Sequence, residues 1–208
     1  MNIKKLSDHS VDIDLLDENS VVFDLGGYKG DFTKELLNIV NCYVYIYEPN
    51  YRLTSIKELF GNKNKVSINY KGISSVEGVK DLYIGMKSGP GWIKQTGSSY
   101  DSTHKDVRHK KIKTELTTLE YEMKKYNIKE IDLIKINIEG EERNVVPILP
   151  FNKIKQISIS FHEHCNIDGY TIETSNNLRE IIKNNGFKEV IYNNYDTLFI
   201  REDTLNEK

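Results

Sequence analysis

Thiols are scarce in this 208-residue chain. Cys42 and Cys165 are its only cysteines. Two thiols so far apart form neither a metal-ligand spacing nor a disulfide framework, so reduced, buried cysteines of a cytosolic protein are expected. Long apolar runs are missing too. Met1 to Asp14 is polar and mixed in charge, with no apolar leader, and no stretch approaches a membrane span. The expectation is a soluble, cytoplasmic protein with no membrane partner. Nor does charge of one sign prevail. A formal net charge of -2 argues against a nucleic-acid partner. There is no internal repeat and no low-complexity segment. What is present is bulk: 13 Tyr and 7 Phe supply core material where the hydrophobic fraction is only 38%. The length suits a single domain spanning residues 1–208.

The most informative stretch is Val21 to Phe32. Val21-Val22-Phe23 is apolar and β-branched, as a buried parallel strand should be. Gly26, Gly27 and Gly30 then break regularity, and helical spacing resumes at Phe32, Leu36, Leu37 and Val40. Glycines let the backbone turn sharply and approach a ligand. The helix that follows points its free N–H groups at that ligand. The pattern is Asp24-x-Gly26-x-x-x-Gly30, whereas a dinucleotide fingerprint has glycine where Asp24 stands. A carboxylate sits badly beside a pyrophosphate, which disfavours an NAD-dependent enzyme. It suits a ligand with an amino or cationic group. One helix later, Tyr43 to Tyr47 reads as a second strand ending in Glu48. Doubly wound folds place there the acid that accepts from ribose hydroxyls. The two acids fit S-adenosylmethionine, which has a ribose, an amino-acid tail and a sulfonium but no phosphate.

The rest of the chain extends this rhythm. Residues 1–20 read as a lead-in with one short helix near Val11 to Leu16. A helix runs from Asp31 to about Val40. Another spans Leu53 to Phe60, with Gly61 as a left-handed C-terminal cap. Val66 to Tyr70 is a third strand, and Asp81 to Met86 an extra one. Ser88 to Ser102, with Trp92 and Tyr100, is irregular and long enough to be functional. Residues 88–113 are an expected acceptor-side loop, and His104 to Lys113 within them is basic. A strand near Ile112 to Glu115 and a helix from Thr118 to Tyr126 follow. Ile131 to Ile138 is the fourth parallel strand and Ile157 to Phe161 the fifth, ending in His162-Glu163-His164. Glu173 to Asn185 is a helix stopped by Gly186. Phe187 to Tyr192 and Thr197 to Ile200 form a closing hairpin around Asn193 to Asp196. This predicts an α/β fold: a mostly parallel sheet, helices on both faces, and a C-terminal antiparallel hairpin. In such sheets ligands bind beyond the carboxyl ends of the strands. Asp24, Glu48, Asn137, Glu139 and His162 should therefore share one crevice.

Four motifs in order carry a family resemblance. They are Phe23 to Phe32, Ile46-Tyr47-Glu48-Pro49-Asn50, Thr117-Thr118-Leu119-Glu120, and Ile131 to Glu142 with its Lys135-Ile136-Asn137-Ile138-Glu139-Gly140 core. Over residues 20–165 the chain resembles the FkbM family of S-adenosylmethionine-dependent methyltransferases. The resemblance implies a class I methyltransferase (Rossmann-like) fold and methyl transfer to an oxygen of a sugar, glycan or other small molecule. By position, Asp24, Gly26 and Gly30 would line the methionine part of S-adenosyl-L-methionine and Glu48 would hold its ribose. Gly72, Ile73 and Ser74 would lie near the adenine. Gly27, Phe32, Pro49 and Asn137 complete the expected cofactor surround. The chain departs from the family at Asn137, usually Asp, at Ser160, usually Glu, and at Glu120, usually Asp. These changes fall on the acceptor side. They keep open a second reading, a non-catalytic S-adenosylmethionine-binding module.

Methyl transfer to a hydroxyl needs alignment and a base. His162 is the first candidate for the base, because histidine titrates near neutrality, and Glu139 is the second. Lys135 lies in an apolar strand and needs a partner if buried. It either pairs with Glu139 or faces the crevice. His162 and His164, with Glu163, Cys165 and Asp168, could share a metal ion, but a solvated loop is the favoured reading and no metal is assigned. The basic run His104 to Lys113 would suit an anionic acceptor. A homodimer is left open.

Overall fold

The computed structural model describes residues 1–86, 97–98, 108–165, 167, 169–193 and 196–206. In chain order the elements are β1 (Ile3–Leu6), β2 (His9–Asp12), β3 (Val21–Leu25), α1 (Asp31–Leu37), β4 (Tyr43–Tyr47), α2 (Ser55–Phe60), β5 (Val66–Asn69), β6 (Gly72–Ile73), β7 (Gly78–Met86), β8 (Gly97–Ser98), β9 (Arg108–Thr117), α3 (Leu119–Lys125), β10 (Ile131–Ile136), α4 (Glu142–Val145), β11 (Ile154–Ser160), α5 (Ile172–Asn184), β12 (Phe187–Asn193), β13 (Asp196–Arg201) and α6 (Glu202–Asn206). Seven strands form one sheet in the order β12-β13-β11-β10-β3-β4-β5. The run from β11 to β5 is parallel. β13 enters antiparallel beside β11, and β12 pairs antiparallel with it.

Neighbouring residues of the central strands feed two cores, because successive side chains point to opposite faces. Val22, Val44 and Ile46 pack with Phe32 and Leu36 of α1 and Ile56 and Phe60 of α2. Phe23, Leu25, Ile134 and Ile136 share the other core with Leu119 and Met123 of α3 and Leu178 and Ile182 of α5. Helices thus cover both faces. Strand order reverses between β3 and β10, the switch point where open α/β sheets bind ligands.

The first twenty residues depart most from expectation. β1 and β2 form a hairpin, and the helix expected at Val11 to Leu16 shrinks to a single 3-10 turn, Ile13–Leu15. The hairpin is fastened to β11 by buried Gln156, whose Oε1 accepts from Asp12 N at 3.1 Å and whose Nε2 donates to Asp12 O at 3.3 Å. Leu6, Val11 and Ile13 enter the α1 and α2 core. Elsewhere α1 ends at Leu37 rather than Val40. Gly61 is not a left-handed cap: its φ is -56° and the helix closes through its N–H on Lys57 O. The strand expected near Ile112 grows into ten-residue β9, laddered against nine-residue β7 in a second sheet, β6-β9-β7-β8. The basic run contributes Lys111 and Lys113, which clamp Asp81 at 2.8 and 2.7 Å. Trp92, Tyr100 and the run's first residues, 104–107, lie outside the described residues. Among those described, no helix is long and apolar enough to cross a membrane.

Candidate active site

A cavity of about 310 Å³ opens at the carboxyl ends of β3, β4 and β10. The glycine turn after β3 forms its floor. Gly26 sits at φ +81°, and a Cβ there would lie 1.8 Å from Asn137 O, so no other residue fits. The N–H groups of Gly26 and Gly27 both donate to Tyr47 O, at 2.9 and 3.2 Å. This locks the turn against β4.

At the tip of β4, Glu48 is 7% exposed. Its carboxylate accepts from Tyr28 N and from Asn50 N, each at 2.8 Å. Burial raises its pKa, and the two N–H bonds oppose that rise. Asn50 beside it is 1% exposed and borders the cavity. Its Oδ1 accepts from Arg52 N, while its Nδ2 finds no partner among the described residues. A buried donor without an acceptor is costly. A nucleoside in the cavity, rich in ring nitrogens and hydroxyls, would supply that acceptor. Asn137 borders the same space, and its buried Oδ1 likewise has no hydrogen-bond partner among the described residues. A turn only glycine can make, a strand-tip acid and two unsatisfied amide groups fit S-adenosylmethionine.

Asp24 does not border the cavity. It is fully buried beneath the turn, where Thr33 Oγ1 donates to it at 2.7 Å and Lys135 Nζ lies 3.0 Å from its Oδ1. The two residues are direct partners across the β3–β10 ladder. Lys135 therefore pairs with Asp24, not with Glu139. It also donates to Gly26 O at 2.7 Å and borders the cavity. The ion pair holds the glycine turn from below.

A second cluster of polar residues begins where β10 ends. Glu139 adopts φ +55° and Gly140 +100°. This tight turn is held by Glu142, fully buried, whose two oxygens accept from Ile138 N and Gly140 N at 2.8 Å each. Glu142 Oε1 also lies 3.1 Å from His162 Nδ1, and Glu139 Oε2 lies 3.7 Å from His162 Nε2. Burial alone would depress the pKa of His162, but Glu142, and Glu139 after it, outweigh burial and raise it to about 9. At neutral pH the ring is an imidazolium without a free lone pair, and it does not border the cavity. The assignment of His162 as base gives way to a cation between two carboxylates. Glu139 borders the cavity; His162 supports it from behind.

Of the residues singled out from sequence, Gly26, Gly27, Phe32, Glu48, Pro49, Gly72, Ile73, Lys135, Asn137 and Glu139 border the cavity; Asp24, Gly30, Ser74 and His162 do not. Ser74 Oγ instead donates to Glu141 at 2.5 Å. His162 and His164 stack with ring centroids 6.1 Å apart. Among the described residues no group of three His, Cys, Asp or Glu is gathered for a metal; Asp168 lies outside them. Sequence reasoning missed Asn50, Glu141, Glu142 and the turn Ser7-Asp8-His9, which closes the cavity from the N-terminal hairpin. Glu141 and Glu142 stand in the run Glu139 to Glu142, but only burial separates their roles. At Ser160, where the family usually has Glu, Ser160 Oγ donates to Asp196, its ladder partner on β13, and neither residue borders the cavity.

Residues 24–189 match the family described as the methyltransferase FkbM domain. The chain belongs to the FkbM methyltransferase domain family. It is thus an S-adenosylmethionine-dependent methyltransferase with the class I fold. Solved structures resemble this FkbM chain at low identity. The fibrillarin/Nop5p complex is 16% identical with a TM-score of 0.51, over 88% of this chain and 72% of that one. The precorrin-6y C5,15-methyltransferase of Geobacter metallireducens is 10% identical, TM-score 0.46, over 89% and 83%. Aeropyrum pernix fibrillarin with natively bound S-adenosyl-L-methionine is 9% identical, TM-score 0.48, over 89% and 66%. No curated protein sequence matches significantly.

Proposed function

We propose that this FkbM methyltransferase methylates a hydroxyl oxygen of a small-molecule or glycan acceptor, with Glu139 as the base. The observation that supports this is the placement of Glu139. Its left-handed backbone, held by Glu142, carries the carboxylate to the cavity, and the His162 imidazolium lies behind it. A non-glycine residue in this conformation costs of order 1–3 kcal/mol, and such strain clusters at functional sites.

When bound, S-adenosylmethionine supplies a methyl group on a sulfonium leaving group. The residues of the chain then have three tasks. Glu48 would accept from the ribose hydroxyls, and Asn50 Nδ2 would donate to the nucleoside. Gly72 and Ile73 would hold the adenine. Gly26, Gly27 and Asn137, above the Lys135–Asp24 pair, would hold the amino-acid tail. Glu139 would take the proton of an acceptor hydroxyl, freeing that oxygen for the methyl group the cofactor would supply. Such alignment contributes on the order of 7–11 kcal/mol, and a positioned base roughly 100- to 10,000-fold in rate.

The test uses methyl-labelled S-adenosylmethionine and a panel of hydroxylated acceptors, with the methylated atom located by NMR and mass spectrometry. Glu139→Gln should slow transfer by about 100-fold or more while S-adenosylhomocysteine still binds in calorimetry. Methyl transfer to nitrogen or carbon, or full activity in Glu139→Gln, would reject the proposal.

A further inference from the structure

The N-terminal hairpin reads as a lead-in by sequence, yet its turn is part of the cavity wall. Ser7, Asp8 and His9 border the same space as Glu139. The turn is anchored at three points. Ser7 N donates to Glu35 Oε2 on α1 at 2.6 Å, Gln156 grips Asp12, and the His9 ring packs edge-on against Phe32 with centroids 5.8 Å apart. Phe32 itself borders the cavity.

The buried His9 ring joins a directed chain of hydrogen bonds. Its Nδ1 lies 3.3 Å from Ser158 Oγ and its Nε2 3.5 Å from Ser160 Oγ. Ser160 spends its proton on Asp196, so its oxygen accepts from His9 Nε2–H, and Nδ1 is left to accept from Ser158. The ring is then neutral. Burial, and after it the nearby Lys135 and His162 cations, keep it so by lowering its pKa well below the usual histidine value.

Among the described residues, carboxylates outnumber cations on the wall. No arginine borders the cavity among the described residues. Its two lysines are Lys135, tied to Asp24, and Lys29, over the Tyr28 ring at 5.3 Å. Carboxylates border it at Asp8, Asp31, Glu48, Glu139 and Glu141. Lys111 and Lys113 of the basic run are engaged with Asp81. Anionic groups are recognised by arginine forks and free lysines, whereas carboxylates accept from hydroxyls.

We propose that the turn Ser7-Asp8-His9 is the acceptor-selecting element of this enzyme, and that it selects an uncharged, hydroxyl-bearing acceptor over a phosphorylated or carboxylated one. This rests on the proposed O-methyl transfer, and the experiment separates the two. Methyl-labelled S-adenosylmethionine is offered with matched acceptors: neutral methyl glycosides, the same sugars as phosphates and as uronates, and an RNA oligonucleotide. The wild-type protein should label the neutral members. Asp8→Lys should keep the fold, because the Asp8 side chain is 82% exposed and its pair with Lys5, 3.9 Å away, is a surface contact worth little. It should shift labelling toward the anionic sugars by about tenfold with S-adenosylhomocysteine affinity unchanged. Wild-type preference for phosphates, uronates or RNA, labelling of no neutral member, or an unmoved ratio in Asp8→Lys would overturn the selector. Wild-type label falling mainly on an anionic sugar's oxygen would overturn the selector alone. Label on nitrogen or carbon of a neutral acceptor would overturn the O-transfer reading instead.

Discussion

A lysine inside an apolar strand has to be answered by an opposite charge, and Lys135 is answered by Asp24 at 3.0 Å with both side chains buried. Removing one partner leaves the other charge stranded. Lys135→Met should cost about 3–5 kcal/mol in urea denaturation, and adding Asp24→Asn should restore part of it. The need for a partner was legible in the sequence, but its identity was not. Asp24 is 111 residues away, and only the β3–β10 register sets it opposite Lys135. His162 carries a second prediction. Its folded pKa, about 9, stands above its ordinary value of 6.5. The stability it adds is complete below pH 6.5 and is lost as pH rises through about 9. The wild type should therefore lose on the order of 1–3 kcal/mol between pH 6 and pH 10 that His162→Gln does not lose. Denaturation midpoints of both proteins across that range measure the difference. A common slope would show that the Glu142 contact carries no charge.

Among the elements, the glycine turn is the least replaceable. Gly26→Ala puts a methyl into Asn137 O and an L-residue at φ +81°. It should cost at least about 2 kcal/mol and abolish S-adenosylhomocysteine binding in calorimetry, since the turn cannot keep its place on Tyr47 O. This turn, the parallel strands and the closing hairpin were legible because each has a local signature: β-branched runs, glycines, helical spacing. β1, β2 and the β7–β9 ladder were less so. Ile3-Lys4-Lys5-Leu6 is short and half polar, and its strand character comes from pairing with β2 and from Gln156, 144 residues from its partner Asp12. In β9, basic residues alternate with Ile112 and Thr114. Such alternation marks a strand only when a partner covers the apolar face, here Leu82 and Ile84 of β7. The Gly61 cap failed for a different reason: a glycine after a helix permits a left-handed ending without requiring it.

At the scale of the whole molecule, the cleft gathers residues from seven stretches of chain between Ser7 and Glu141. The part of it at the strand tips was legible, because the doubly wound order brings those tips together whatever the loops do. The rest of the wall was not, because it depends on where the hairpin and the second sheet fold back. A ligand held by so many elements should raise the stability of all of them together. At 100 times its dissociation constant a ligand adds about 2.7 kcal/mol, and for a chain of this size each kcal/mol shifts Tm by about 2–4 °C. S-Adenosylhomocysteine should therefore raise Tm by about 5–10 °C in one cooperative step, with NAD giving none. Glu48→Gln replaces a buried acceptor of two backbone N–H groups, and of the ribose in the proposed cofactor pose. It should weaken binding by about 1.5–3 kcal/mol and remove most of the shift at the same ligand concentration. An equal shift in Glu48→Gln, or one produced by NAD, would remove the nucleoside from this cleft.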